Sequence, residues 1–463
     1  MPRIFIVGAG ISGLSLAYRL QVLGPDLDIS ILEERDRPGG TVWTERCDGF
    51  QVETGPNGFL DNKPTTLDLC RELGLEDRLI AASPEAGKNR YLFLDGRLRP
   101  LPASLSSFLT SDLLSLRGKV AFFRERFRPP RRNCQDESIA DFARRRAGPE
   151  AELFADALVT GITAGDPALL SLRACFPRLA ALEEEYGSVL RGLARSARQR
   201  RQEARSRGEN APRRGNQMWS LREGLRGLIE TLCARLRKPP VLGVPVNALR
   251  KQSDGTWLVT AEGKDRFNAD AVILTCPAYK QAAILADVDA ALADKIETIA
   301  YNRLAVIALG YQKKDVLHSL AGFGYIAPQS TRRDILGVQW CSSIFPGRAP
   351  SDAVLLRAMA GGWNRPEIAG WDDARLLECA RADLGQALGI QAKPIFHHII
   401  GWNRAIPQYH LGHLERVAWI EKRIADHPGL FLGGNAYHGV ALNDCTEQAG
   451  VLAELVLKHA SKK

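Results

Sequence analysis

The chain is 463 residues long, more than one simple hydrophobic core accommodates, so two or three domains are expected. Its 45% hydrophobic and 25% charged residues exclude a disordered chain, and no run of about eighteen apolar residues supplies a membrane-crossing helix. The formal net charge of +9 admits nucleic acid, an anionic membrane surface or an acidic small molecule as partner.

From the N-terminus, Ile4-Phe5-Ile6-Val7 is an apolar run of strand length, Gly8-Ala9-Gly10-Ile11-Ser12-Gly13 is a glycine-punctuated turn, and residues 14–20 have helical periodicity. Strand, G-x-G-x-x-G and helix in that order form a dinucleotide fingerprint. Gly8 makes the tight turn, Gly10 lets backbone approach a pyrophosphate, and Gly13 lets helix pack on strand. A second strand over 29–32 ends in Glu33, whose carboxylate can accept hydrogen bonds from a ribose diol. Glu34 and Arg35 follow, then Gly39-Gly40, a pair that a plain nicotinamide-binding unit does not require. FAD is therefore the expected cofactor, with NAD(P) as the alternative. Met1-Pro2-Arg3 leads straight into the first strand, so no leader peptide is expected.

A short helix is expected over 64–73 and a hairpin over 91–98, turning at Asp95-Gly96. Residues 104–200 read as helical, with Phe108, Leu109, Leu113, Leu116, Val120, Phe123 and Phe127 spaced for one apolar face. Positive charge concentrates here, in Arg117, Lys119, Arg124, Arg126, Arg128, Arg131 and Arg132, and again in Arg191, Arg195, Arg198, Arg200, Arg201, Arg205, Arg207, Arg213 and Arg214. Both clusters lie away from the fingerprint. Nucleic acid is not expected, and the amphipathic stretch suits an anionic membrane interface or the packed face of a helical domain. Residues 203–217 lack periodicity and read as a mobile surface loop.

A helix follows Gly224, 241–249 and 257–260 pair as a hairpin, and 271–275 is a buried strand. Residues 430–434 form a strand that enters a second glycine turn, followed by a last helix over 443–457. Backbone amides around Gly434, Asn435, Gly439, Val440 and Ala441 would face a flavin pyrimidine oxygen or a phosphate. The nine cysteines are odd in number and have no C-x-x-C spacing, so they read as reduced thiols in a cytoplasmic protein, without zinc or disulfides.

The sequence resembles the flavin amine oxidase and protoporphyrinogen oxidase superfamily, and within it the oxygen-dependent protoporphyrinogen oxidases. The blocks are Gly434-Asn435 through Tyr437, Gly439-Val440 and Asn443-Asp444-Cys445; Asn89-Arg90-Tyr91-Leu92 with Gly96 and Leu101-Pro102; Gly161-Ile162-Thr163-Ala164-Gly165-Asp166-Pro167; Gly322-Phe323-Gly324-Tyr325-Ile326; and Ile406-Pro407-Gln408-Tyr409-His410-Leu411-Gly412-His413. They span nearly the whole chain, and flavin amine oxidases share the two termini but not the middle blocks. The resemblance implies an α/β (α+β overall) fold with a glutathione-reductase-like, Rossmann-type FAD domain assembled from both termini (1–88, 225–285, 428–463). A mixed-sheet substrate domain (89–103, 286–427) and a helical, membrane-facing insertion (104–224) complete it.

The implied reaction is the six-electron oxidation of protoporphyrinogen IX by FAD, with O2 as acceptor and H2O2 released. By resemblance, Arg90 pairs with a propionate, Phe323, Ile326 and Met359 contact the macrocycle, Gly324 allows close approach, and the Gly161 carbonyl faces the pyrrole N–H groups. Asn57, in Gly55-Pro56-Asn57, lies at the edge of flavin and substrate; Ile11, Ser12, Thr41 and Val246 complete the FAD contacts. Gln339 departs from the family, which places an aliphatic residue there, and a buried amide needs partners. No side-chain base is expected, since the cofactor carries the reactivity. His397 and His398 read as structural because neighbours on a strand point to opposite faces. Coproporphyrinogen III as substrate, an amine or carotenoid oxidoreductase, and a flavin-binding membrane module without turnover are the alternatives. The expected setting is the cytoplasmic face of the cell membrane, with peripheral attachment, product hand-off to ferrochelatase and a homodimer as further expectations.

Overall fold

The computed structural model describes residues 1–131, 135–206, 217–262 and 266–461. It opens with β1 (Arg3–Val7), α1 (Ile11–Leu23) and β2 (Asp28–Leu32). A hairpin of β3 (Arg90–Leu94) and β4 (Arg97–Pro100) leads to helices α2 (Leu105–Thr110), α3 (Leu116–Arg124), α4 (Glu152–Thr163) and α5 (Val189–Ser206). Next come α6 (Arg226–Arg235), β5 (Val246–Lys251), β6 (Trp257–Ala261), β7 (Arg266–Ala269) and β8 (Ala271–Leu274). The chain closes with β9 (Arg303–Gln312), β10 (Gly324–Ile326), β11 (Ile335–Gln339), β12 (Ala353–Gly362), α7 (Asp373–Leu388), β13 (Phe396–Trp402), β14 (Leu430–Leu432) and α8 (Leu442–Ala460).

One sheet, in the order β14-β8-β1-β2, is wholly parallel and draws strands from both ends of the chain. Parallel strands are covered on both faces, and all four residues of β8 are accordingly buried apolar. On one face, Leu14, Ala17 and Leu20 of α1 meet Ala449, Ala453 and Val456 of α8 and Leu228, Ile229 and Leu232 of α6. Burying each large aliphatic side chain stabilises by about 1.5–3 kcal/mol, so the two chain ends are held as one unit.

The larger sheet runs β13-β9-β12-β11-β10-β3-β4 and is antiparallel except for β10 beside β3. Alternation along the strands decides its two faces. Tyr325, Val338, Ala358 and Ile307 point to one side and pack on Leu376, Ala380 and Leu384 of α7. Helix α7 starts where the Asp372 carboxylate accepts from the Arg375 amide at 2.8 Å and stops at left-handed Gly389. The alternate residues Ile326, Gln339 and Met359 are only half-buried, and they form the other face.

Three elements differ from their sequence reading. The strand expected from 241 begins at Val246, because Val241 is captured by the open edge of β2, its amide donating to the Ile31 carbonyl at 2.9 Å. The apolar stretch 104–127 is broken at 111–115, where Ser115 caps α3 by accepting from the Gly118 amide at 3.1 Å. Its face is divided too, with Leu113 buried while Leu109, Leu116, Val120 and Phe127 are exposed. Residues 203–206 continue α5 as helix, and 207–216 of the expected loop lie outside the described residues. So do Arg132, Arg207, Arg213 and Arg214, as well as the side chains of Arg200, Arg201 and Arg205.

Candidate active site

The first turn is built by its glycines. Gly8 has φ +107°, and a Cβ on Gly13 would stand 2.0 Å from the Gly8 carbonyl oxygen, so neither position accepts a side chain. A Cβ on Gly10 would meet nothing within 4 Å, which leaves open space above the turn. The first intrahelical bond of α1 is donated by Leu14 to the Gly10 carbonyl at 3.0 Å, so the amides of 11–13 have no acceptor inside the helix. Glu33 is 7% exposed, and its two oxygens accept from the Ala9 amide at 2.7 Å and the Arg35 amide at 3.0 Å. Its carboxylate is thereby fixed beside the turn with lone pairs to spare. The Gly39 amide bonds the Ala9 carbonyl at 2.8 Å and brings Gly39-Gly40 alongside Gly10.

Other expected contacts are distributed unevenly. The Ile11 side chain belongs to the core, so only its backbone faces the turn, and Ser12 is half-buried next to it. Glu34 points outward to Lys280, with an ion-pair distance of 3.0 Å. Thr41 lies against Gly55, where a Cβ would come within 2.1 Å of the Thr41 carbonyl oxygen. Half-buried Val246 opens β5, just after Val244 donates to the Glu33 carbonyl at 2.8 Å.

The second turn is clamped by side chains from elsewhere in the chain. Tyr409 donates its hydroxyl to the Asn435 carbonyl at 2.6 Å and accepts from the Gly439 amide at 2.8 Å. The Tyr409 ring stacks on His413 with centroids 3.9 Å apart. His413 Nε2 meets the Tyr437 carbonyl at 3.1 Å, and burial pushes the imidazole down to about 4. The Tyr437 hydroxyl donates to Gln281 Oε1 at 2.6 Å, and Gln281 Nε2 reaches the Cys276 and Gly433 carbonyls. Gly434 and Gly439 take φ of +102° and +122°, while Val440 and Ala441 lead into α8. Gln281 carries no motif signal; Tyr409 and His413 lie in a resemblance block that assigns neither a role.

The half-buried face of the large sheet supplies a wall. Ile326 and Met359 lie in one lateral row, separated only by Gly337. Gly161 on α4 rests on Ile326, since a Cβ there would come 2.7 Å from Ile326 Cδ1. The next row runs Arg90, Gly324, Gln339, Arg357 across β3, β10, β11 and β12. Gly324 has φ +134°, and a Cβ would stand 2.0 Å from the Val338 carbonyl oxygen. Arg357, 3% exposed, donates to Gln339 Oε1 at 3.1 Å and to the Gly55 carbonyl, and so supplies the partner that a buried amide at 339 needs. Trp402 Nε1 donates to the Thr54 carbonyl at 2.9 Å, which ties the 54–57 segment to the same sheet. Half-buried Pro56 leads to Asn57, which is 5% exposed and whose Nδ2 has no partner among the described residues.

Phe323 lies just before β10, packed with Ala82, Ala86, Ile344 and Phe345 rather than in either row. The Arg90 guanidinium sits 5.1 Å from its ring centroid and pairs with no carboxylate among the described residues. Partial burial pushes the Arg90 guanidinium below its ordinary range. His398 lies on the continuation of the second row, beyond Arg357 and Ala308, where Glu45 engages it at 2.5 Å; His438 is engaged by Glu421 at 2.8 Å, and His397 is exposed. Open space above Gly10, uncommitted amides, a fixed carboxylate at Glu33 and an orphan donor at Asn57 together fit a dinucleotide whose ring system ends beside the sheet.

The family described as flavin containing amine oxidoreductase matches residues 11–457. The chain is 33% identical over 475 residues to the protoporphyrinogen oxidase, chloroplastic, of Nicotiana tabacum, covering 99% of this chain and 86% of that protein. It is 27% identical over 461 residues to the coproporphyrinogen III oxidase of Bacillus subtilis (strain 168), covering 96% of each. A solved structure from Exiguobacterium sp. 255-15, provisionally described as a protoporphyrinogen oxidase, superposes with a TM-score of 0.83 at 27% identity over 99% of each chain.

Proposed function

The chain belongs to the flavin containing amine oxidoreductase family, and from that premise we propose that it oxidises protoporphyrinogen IX to protoporphyrin IX in haem synthesis. It is an FAD-dependent oxidoreductase. Glu33 would hold the ribose, Gly10 and the amides of 11–13 the pyrophosphate, and the 434–441 turn with Asn57 the ring system. Bound there, FAD would supply two-electron oxidation, with O2 as the proposed acceptor and H2O2 as its product, so a six-electron conversion would take three cycles.

The observation that carries this reading is the half-buried sheet face. Ile326 and Met359 line it, with Gly161 resting on Ile326; Phe323 and Arg90 stand at one end, and Gly55 with Asn57 closes the other. A wide apolar wall with a cation at its edge suits a large macrocycle that carries carboxylates on one side. The wall positions the ring, Arg90 receives a carboxylate, and backbone carbonyls or water take the pyrrole protons. No histidine is assigned a role in this step.

The name of the Bacillus relative, together with the polar Gln339 in the wall, favours a second reading in which coproporphyrinogen III is the substrate. Aerobic assays with both porphyrinogens test the choice. The expected result is porphyrin fluorescence from protoporphyrinogen IX with three H2O2 per porphyrin; turnover confined to coproporphyrinogen III would replace the first reading with the second.

The proposal extends to peripheral attachment at the inner face of the cell membrane, with product passed to ferrochelatase. Leu116 and Phe127 are 80% and 70% exposed beside Arg117, Lys119, Arg124 and Arg126, a combination that suits an anionic interface. No helix among the described residues is long and apolar enough to cross a membrane. Co-sedimentation with vesicles containing phosphatidylglycerol should be strong at low salt and weak at high salt; no binding at low salt would remove this part.

A further inference from the structure

We propose that Gln339, oriented by Arg357, is a second carboxylate receiver in the slot, acting beside Arg90 on the neighbouring carboxylate of the same substrate. The inference rests on the porphyrinogen reading above and deepens it.

The argument starts from donor and acceptor identity. Arginine has only donors, so the amide that meets Arg357 Nη1 at 3.1 Å must present its oxygen. The orientation of the Gln339 amide is therefore forced, and its N–H groups point the other way. Gln339 Nε2 makes no hydrogen bond among the described residues, and the side chain is half-buried on the slot face. Arg357 is itself immobilised, 3% exposed and anchored on the Gly55 carbonyl of the segment that closes the slot.

Register then places the two receivers. Arg90, Gly324 and Gln339 are lateral partners, and such partners share a face of the sheet. Gly324 contributes no side chain, so a gap separates the guanidinium from the amide. Two interstrand steps put the backbones of Arg90 and Gln339 about 10 Å apart, a span that two propionates on adjacent pyrrole rings can bridge. The chemistry of the macrocycle selects what Gln339 accepts. A porphyrinogen ring offers only N–H donors, and its good acceptors are its carboxylates. An amide N–H2 in the wall rewards a carboxylate and gives nothing to a vinyl or methyl group.

Wild type, Gln339→Glu and Gln339→Leu are to be compared on protoporphyrinogen IX and on its dimethyl ester, with flavin content and thermal midpoint as controls. Glutamate keeps an oxygen for Arg357 but loses the donor and repels a carboxylate, so it carries the test if the leucine variant fails to retain flavin. The expected result is KM for the diacid raised about tenfold or more in Gln339→Glu, as for loss of a hydrogen bond to a charged group, with kcat changed much less and KM for the ester raised less than about threefold. Unchanged KM for the diacid, or equal rises for acid and ester, would overturn the inference while leaving the porphyrinogen reading intact. A wild-type protein that oxidises neither compound nor coproporphyrinogen III would overturn both.

Discussion

The Tyr409 hydroxyl accepts a hydrogen bond from the Gly439 amide at 2.8 Å and donates one to the Asn435 carbonyl at 2.6 Å. One side-chain atom thus closes the second turn of the cofactor site from a segment that also stacks on His413. Tyr409→Phe retains the ring and the stack but leaves two backbone groups without their partner. A cost of about 1–3 kcal/mol follows, and it falls on the turn rather than on the core. The variant should fold with unchanged secondary structure and release FAD at least about tenfold more readily, as read by flavin fluorescence during dilution.

His413 makes stability depend on pH. Its Nε2 is paired with the Tyr437 carbonyl, and its Nδ1 is buried without a partner, so a second proton has no place to go. Burial lowers the folded-state value to about 4, whereas an unfolded histidine titrates near ~6.5. The unfolded chain binds the proton first as pH falls. The contribution is therefore complete above about pH 6.5 and is lost between there and about pH 4, up to roughly 3 kcal/mol. Urea midpoints at pH 8, 6 and 5 should decline in wild type and decline less in His413→Gln.

The glycines of the first turn separate fold from cofactor. A methyl at Gly13 would collide with the Gly8 carbonyl oxygen at 2.0 Å, so Gly13→Ala should lower the thermal midpoint even without flavin. A methyl at Gly10 meets no protein atom within 4 Å and would occupy the space assigned to the pyrophosphate. Gly10→Val should leave the apoprotein midpoint within a few degrees of wild type and yield colourless protein.

Arg90 has no carboxylate partner among the described residues. Arg90→Ala should therefore cost little stability, within about 0.5 kcal/mol. It should raise KM for protoporphyrinogen IX by about tenfold to a hundredfold and leave kcat less affected. Steady-state kinetics on flavin-replete protein provide the check.

Much of the cofactor site was legible because its needs are local. Gly8, Gly10, Gly13 and Glu33 lie within one strand-turn-helix-strand unit, and their backbone conformations and charge leave a pattern in sequence. The supports were not legible. Arg357 reaches the Gly55 carbonyl across 302 positions, and Gln281 reaches Tyr437 across 156. Gln281 and Tyr437 are brought together by the pairing of β8 with β14, and Arg357 meets Gly55 because the 54–57 segment docks on the large sheet, where Trp402 Nε1 donates to the Thr54 carbonyl. Gln339 could be flagged as a polar residue where an aliphatic one belongs, yet its partner could not be named. The break between α2 and α3 was hidden because the apolar spacing runs through it, while the Ser115 cap that starts the second helix is a single residue. The strand start at Val246 was misplaced because Val241 satisfies a different sheet edge with the same apolar chemistry.

The central claim, that FAD held between the two turns oxidises a porphyrinogen, is tested most directly by anaerobic titration of the purified yellow protein with protoporphyrinogen IX. The account predicts that flavin absorbance bleaches stoichiometrically, and that readmitted oxygen restores it together with porphyrin fluorescence and H2O2. Flavin absorbance that does not respond to any porphyrinogen, in protein shown to hold FAD, would contradict it.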